Sequence, residues 1–77
     1  MDWTHDAALD ARGLACPLPV LKARKVLAGL GRGRRLFVET TDPMAAIDVP
    51  HFCAESGHRL VASEALAEGH RFLIERG

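Results

Sequence analysis

Tyrosine is absent from this 77-residue chain and the other aromatics are few, one Trp and three Phe. With no recognisable RNA-binding signature and so few rings to stack on bases, direct nucleic-acid binding is not expected. Cysteine is scarce as well. Cys16 and Cys53 fall short of the disulfide framework a small secreted domain would use, which agrees with a reducing compartment, although counting alone leaves one disulfide between them open. There is no Cys-x-x-Cys, hence no adjacent resolving thiol of the kind dithiol oxidoreductases employ. No apolar run approaches the length that crosses a bilayer, and the segment from Met1 to Asp6 is acidic and lacks the apolar stretch of a signal peptide. The expectation is a cytoplasmic protein with no membrane contact. Acidic residues are missing from one window only. Between Arg12 and Arg35 every charged side chain is basic, although ten basic and ten acidic residues balance over the whole chain.

Seventy-seven residues allow one domain with a modest core, so function must come from a few exposed groups rather than a deep enclosed pocket. The stretch Gly13-Leu14-Ala15-Cys16-Pro17-Leu18-Pro19 places a single cysteine between a glycine turn and two prolines. Prolines are tolerated in a first helical turn, where the N–H they lack would have no intrahelical partner, so Cys16 is expected at about the N-cap of a helix. A thiol there is accessible, and the helix dipole lowers its pKa slightly, by well under one unit for the roughly 0.3–1 kcal/mol of an exposed site. The alternative is a buried core cysteine that precedes a helix, against which the prolines weigh.

Taken in order, residues 1–7 read as a polar tail that is a candidate for disorder, and 8–77 as the single domain. The apolar run Ala7–Ala11 is a short strand ending at the Arg12-Gly13 turn. From Pro17 to Leu30, Val20, Ala23, Val26, Leu27 and Leu30 recur at helical spacing with Lys22 and Lys25 opposite. Arg35–Thr40 alternates as a second strand. Asp42-Pro43 has the form of a helix start, and Pro50 is expected to split the stretch to Ser56 into two segments, with Gly57 as the C-cap. The remainder forms a terminal hairpin. The order β-α-β-α-β-β predicts an α/β (α+β) two-layer sandwich, two helices on one face of a four-stranded mixed sheet. Phe37 and Leu73 are then expected on the open face.

Rigid presentation of one weakly activated thiol suits a carrier better than a catalyst. His51-x-Cys53 with His58 and Cys16 could supply four metal ligands, but the spacing matches no recurrent zinc pattern and no metal is expected. Cys53, after Phe52 in a helical segment, reads as a small core hydrophobe. The basic block that includes Lys22, Arg24 and Lys25 is either an ordinary solvated face or a surface that steers partners to the thiol.

The pattern Leu9-Asp10-x-x-Gly13-Leu14-x-Cys16-Pro17-x-Pro19 resembles the signature of the TusA family of sulfur carriers, small cytoplasmic bacterial proteins. Arg24-Lys25, Asp42-Pro43, Asp48-Val49-Pro50-x-Phe52-Cys53 and Gly57-His58 extend the likeness. The resemblance implies that Cys16 carries sulfane sulfur as a covalent persulfide, with no other cofactor. It would be supported by Gly13, Pro17 and Pro19 of the Cys-Pro-x-Pro (CPxP) motif. A cysteine desulfurase or rhodanese-like donor would load it, and a downstream acceptor protein would receive the sulfur, for tRNA thiolation, molybdenum cofactor synthesis or sulfur oxidation. Leu18 stands where the tRNA-thiolation branch carries an acidic residue. The expectation is a monomeric sulfurtransferase-type carrier rather than a stand-alone enzyme, the alternative being a regulatory or adaptor domain of the same fold in which the thiol is incidental.

Overall fold

The computed structural model describes residues 2–77, and Met1, the first residue of the expected tail, lies outside them. Six elements follow in the order β1 (Ala7–Ala11), α1 (Leu18–Ala28), β2 (Arg35–Thr40), α2 (Ala45–Ser56), β3 (Arg59–Leu66) and β4 (Gly69–Glu75). The strands form one sheet in the order β1-β2-β4-β3, β1 parallel to β2 and the other two pairings antiparallel. Each helix is thus a crossover, from β1 to its neighbour β2 and from β2 over β4 to β3. The two helices on a four-stranded mixed sheet are the expected α+β sandwich.

Period-two alternation in β2 decides where the core lies. Leu36, Val38 and Thr40 are buried while Arg35, Phe37 and Glu39 are half-buried on the opposite face. On the helix side Leu36 pairs with Ile74 and Val38 with Phe72. Ala23 and Leu27 of α1 and Ala45, Val49, Phe52 and Cys53 of α2 close over them. Apolar area withdrawn this way, at roughly 25 cal/mol per Å², is the main favourable contribution to the fold.

Two expectations are corrected. Pro50 does not split the second helical stretch, because α2 runs unbroken through it. A proline at this position leaves the carbonyl of Ala46 without its intrahelical donor, and Ala46 is exposed, so water can satisfy that oxygen. Continuity also keeps Val49, Phe52 and Cys53 buried together. Leu73, expected on an open face, is fully buried. It sits between Phe37 and Ala62 in register, and Trp3 and His5 pack on Phe37 with ring centroids 6.1 and 5.2 Å away. Arg71 covers the outer face of Trp3 at 4.2 Å. The segment before β1 is held there by Asp6, whose carboxylate accepts the Arg35 N–H at 2.8 Å.

Gly57 ends α2 in the left-handed conformation, as its C-cap position required. Gly69, with φ of 142°, opens β4 where a Cβ would lie 1.9 Å from the carbonyl oxygen of Thr40. Gly69→Ala is expected to cost at least about 2 kcal/mol in urea unfolding, from strained φ plus a clash with backbone. Gly31→Ala, whose Cβ would meet only the Arg34 side chain at 3.8 Å, is the control and is expected to change stability by less than about 0.5 kcal/mol.

Candidate functional site

β1 and β2 are parallel neighbours, so the loops that leave their C-terminal ends emerge side by side, the usual place for a site on an α/β sheet. The loop after β1 begins with a chelate. Asp10 accepts from the Arg12 N–H at 3.1 Å and from its guanidinium at 2.9 and 3.0 Å, and these bonds hold the Asp10 carboxyl down to about 2. Gly13 follows at φ of 80°, and its N–H donates to Thr41 Oγ1 of the neighbouring loop at 2.8 Å.

Asp42 makes the second tie between the loops. One of its carboxylate oxygens accepts the backbone N–H of Cys16 and the other accepts that of Met44, at 3.0 Å. The bond to Met44 is of the kind an N-cap side chain makes, so Asp42 and Pro43 start the turn that leads into α2, whose regular part begins after Met44. Cys16 lies within one residue of its expected place. The N-cap of α1 is Pro17, and Cys16 lies one residue earlier, in a turn closed by the Leu18 N–H and the Ala15 carbonyl at 2.9 Å. The Cys16–Pro17 peptide is cis, as in type VI turns.

The thiol is exposed and its Sγ–H donates to Asp48 Oδ2 at 2.8 Å. That hydrogen bond, then partial desolvation, then the charges of Asp48 and Asp42 raise the thiol's pKa above its ordinary value. The slight lowering expected from the helix start is overturned. Two carboxylates face the sulfur, and the first-turn N–H groups that might have offset them are reduced in number by Pro17 and Pro19. Cys53 is the opposite case, a free thiol in the core that burial pushes up to about 11.

A cleft of about 300 Å³ opens beside the thiol between α1 and α2, with Cys16, Arg24, Asp48, His51, Phe52 and Glu55 along it. The Arg24 guanidinium lies 5.5 Å over the Phe52 ring, and His51 Nε2 contacts the Glu55 carboxylate one turn on. Of the residues singled out in the sequence, Gly13 makes the turn, Pro17 borders the cleft, and Pro19, in the first turn of α1, is buried. Arg24 is brought to the thiol's cleft, whereas Lys22 and Lys25 are exposed and do not line it. Among the described residues no three His, Cys, Asp or Glu side chains converge as metal ligands.

Sequence reasoning assigned no role to Asp48, although a signal was present. Asp48, Phe52 and Glu55 stand at i, i+4 and i+7, one stripe of a continuous helix. The stripe is invisible once Pro50 is taken as a break.

The geometry separates the two thiols experimentally. In the native protein iodoacetamide should modify Cys16 and spare Cys53, as read by peptide mass mapping. Asp48→Asn removes the charge and acceptor that disfavour the Cys16 thiolate, so its pKa should fall and alkylation at pH 7.5 should become severalfold faster. An unchanged or slower rate in the folded variant would mean that Asp48 does not hold the proton.

Two comparisons bear on these features. The crystal structure of a SirA-like protein from Desulfitobacterium hafniense superposes with a TM-score of 0.77 at 28% sequence identity, covering 94% of this chain and 99% of that one. The family model described as sulfurtransferase TusA matches residues 7–76, from the first residue of β1 to the residue after β4. An exposed cysteine at the joined helix starts of this sandwich is thus set in a match that spans nearly the whole chain, and the protein belongs to the TusA sulfurtransferase family, whose members act in sulfur transfer.

Proposed function

We propose that this protein is a sulfur-relay carrier that takes sulfane sulfur onto Cys16 as a persulfide and passes it to an acceptor protein. The observation that carries the reading is the thiol itself, exposed at the mouth of the cleft with its proton held by a carboxylate 2.8 Å away. In loading, Asp48 takes the Cys16 proton and the thiolate attacks the terminal sulfur of a donor persulfide. A new sulfur–sulfur bond forms as the donor's breaks, and the electron pair leaves on the donor thiolate, which is then protonated. Thiol and persulfide have exchanged partners with no net oxidation or reduction. Unloading is the same step with Cys16 as the leaving thiolate, which the proton on Asp48 can quench.

A thiol whose pKa is raised is a poor spontaneous nucleophile, which suits a carrier that should react with its partners rather than with every disulfide it meets. The donor in this reading is a cysteine desulfurase or a rhodanese-type protein of the cytoplasm, where two free cysteines persist unpaired. Arg24, in the cleft, is assigned direct contact with the partner. Lys22 and Lys25 contribute only longer-range attraction, which salt would screen.

The test is sulfur relay from a donor loaded with radiolabelled sulfur. Cys16→Ser should remain within about 0.5 kcal/mol of wild type in stability, because the side chain is exposed and a hydroxyl can donate to Asp48 in the same way. Its loading should be lost. Cys53→Ala should keep loading while losing about 1–2 kcal/mol for a small buried group. A folded Cys16→Ser protein that still relays label would overturn the reading.

A further inference from the structure

Loading changes what Cys16 asks of its surroundings. The thiol is a hydrogen-bond donor, and Asp48 Oδ2 accepts it at 2.8 Å. A persulfide is a stronger acid than its parent thiol, so a loaded Cys16 carries its terminal sulfur as an anion near neutral pH, and the Asp48 and Asp42 carboxylates that bond to this residue repel it. A ring of backbone N–H groups, the common way to hold an anion at a helix start, is not open to it. The N–H groups of Gly13, Leu14, Cys16 and Leu18 are all engaged within the fold, and Pro17 and Pro19 have none. At the start of α2 those of Met44, Ala45, Ala46, Ile47 and Asp48 are engaged as well. Compensation for the new charge therefore falls to a side chain.

The cleft of about 300 Å³ beside the thiol has room for a terminal sulfur, which stands about 2 Å beyond Sγ. Arg24 lines that cleft, whereas Lys22 and Lys25 do not. His51 lines it too, but its Nε2 is turned to the Glu55 carboxylate. Arg24 makes no ion pair with any described residue, and its guanidinium is held 5.5 Å over the Phe52 ring. Stacking of this kind fixes a guanidinium without neutralising it. Phe52 stands one turn past Asp48 on α2, so the free cation and the thiol's carboxylate face one cleft a turn apart and do not pair.

We propose that Arg24 holds the terminal sulfur of the loaded protein, so that Cys16 turns from Asp48 in the thiol to Arg24 in the persulfide. The proposal rests on the carrier reading. To the partner contact assigned to Arg24 it adds a hold on the cargo that operates with no partner present. The two states of one cysteine are then served by two side chains of opposite charge, one that takes a proton and one that takes an anion.

The test uses the full chain loaded without a protein donor. Sodium tetrasulfide supplies the sulfur. The Cys16 thiolate attacks a terminal sulfur atom, one sulfur–sulfur bond forms as another breaks, and trisulfide leaves with the electron pair. Excess polysulfide is removed, and a single added sulfur atom is verified by intact mass and assigned by peptide mapping. The near-ultraviolet absorbance of the persulfide anion is then titrated against pH in wild type, Arg24→Gln, Arg24→Lys and Lys22→Gln, the last removing an equal charge away from the cleft. Both positions are exposed, so circular dichroism should be unaltered. The persulfide pKa should rise by about one unit in Arg24→Gln, by less in Arg24→Lys and by no more than about 0.2 units in Lys22→Gln. The pKa of the unloaded thiol, read from alkylation rates, should move much less than the persulfide's. Arg24→Lys keeps an aliphatic stem over Phe52 and decides the matter if Arg24→Gln does not fold, its persulfide pKa being expected above that of wild type. An unchanged persulfide pKa in the folded Arg24 variants, or equal shifts in Arg24→Gln and Lys22→Gln, or equal shifts of thiol and persulfide, would overturn the hold on the sulfur and leave Cys16 chemistry standing. Failure of tetrasulfide to load wild-type Cys16 would instead contradict the carrier reading, and this proposal with it.

Discussion

The carboxylate of Asp42 accepts the backbone N–H of Cys16 with one oxygen and that of Met44 with the other, and so joins the two loops from which both helices start. Remove that bridge and the Cys16 loop would be tied to the second loop chiefly through Gly13 and Thr41, with the thiol free to drift from Asp48. Hydrogen bonds to a charged acceptor are the stronger kind, about 1.5–3 kcal/mol each, and this one carboxylate accepts two. The parallel pairing of β1 with β2 makes the bridge possible, because it brings the C-terminal ends of both strands to the same side of the sheet. The core beneath sets the height of each helix, so packing at Leu27 and Phe52 and polar contacts at Asp42 and Asp48 fix one arrangement between them.

That arrangement gives a thiol with two properties that are usually opposed. Cys16 is accessible, yet it is kept protonated by its own surroundings. Catalytic cysteines are generally exposed and activated by cations or helix N–H groups, while structural ones are buried and inert. Cys16 belongs to neither group, and Cys53 is plainly of the second. A resting site that waits for its partner accounts for the combination. In the proposed relay it also gives Asp48 a role, as the group that takes the Cys16 proton on loading and returns it on unloading.

Much of the fold was legible in the sequence because it rests on local periodicity. The alternation of Arg35–Thr40, the helical spacing of Ala23 and Leu27, and the glycine at position 57 each specify their element with little help from tertiary contacts. The errors fell where tertiary contacts override a local rule. Pro50 stays inside α2 because the burial of Val49, Phe52 and Cys53 outweighs one carbonyl surrendered to water. Leu73 is buried on the face away from the helices, where Trp3 and His5, far away in sequence, pack on its neighbour Phe37. At the site, the cysteine, its prolines and Gly13 were readable as a motif. Its proton partner was not, since Asp48 meets Cys16 across 32 residues and only through the register of two helices on one sheet. The same distance in sequence hid the reversal of the thiol's pKa.

The account depends most on where the sulfur resides. The direct measurement is tandem mass mapping of the wild-type protein after exposure to a persulfide donor, with thiols blocked before digestion. The account predicts one added sulfur atom on the peptide containing Cys16, removable by reductant, and none on the peptide containing Cys53. Sulfur found on Cys53, or on neither peptide while relay to an acceptor continues, would contradict it.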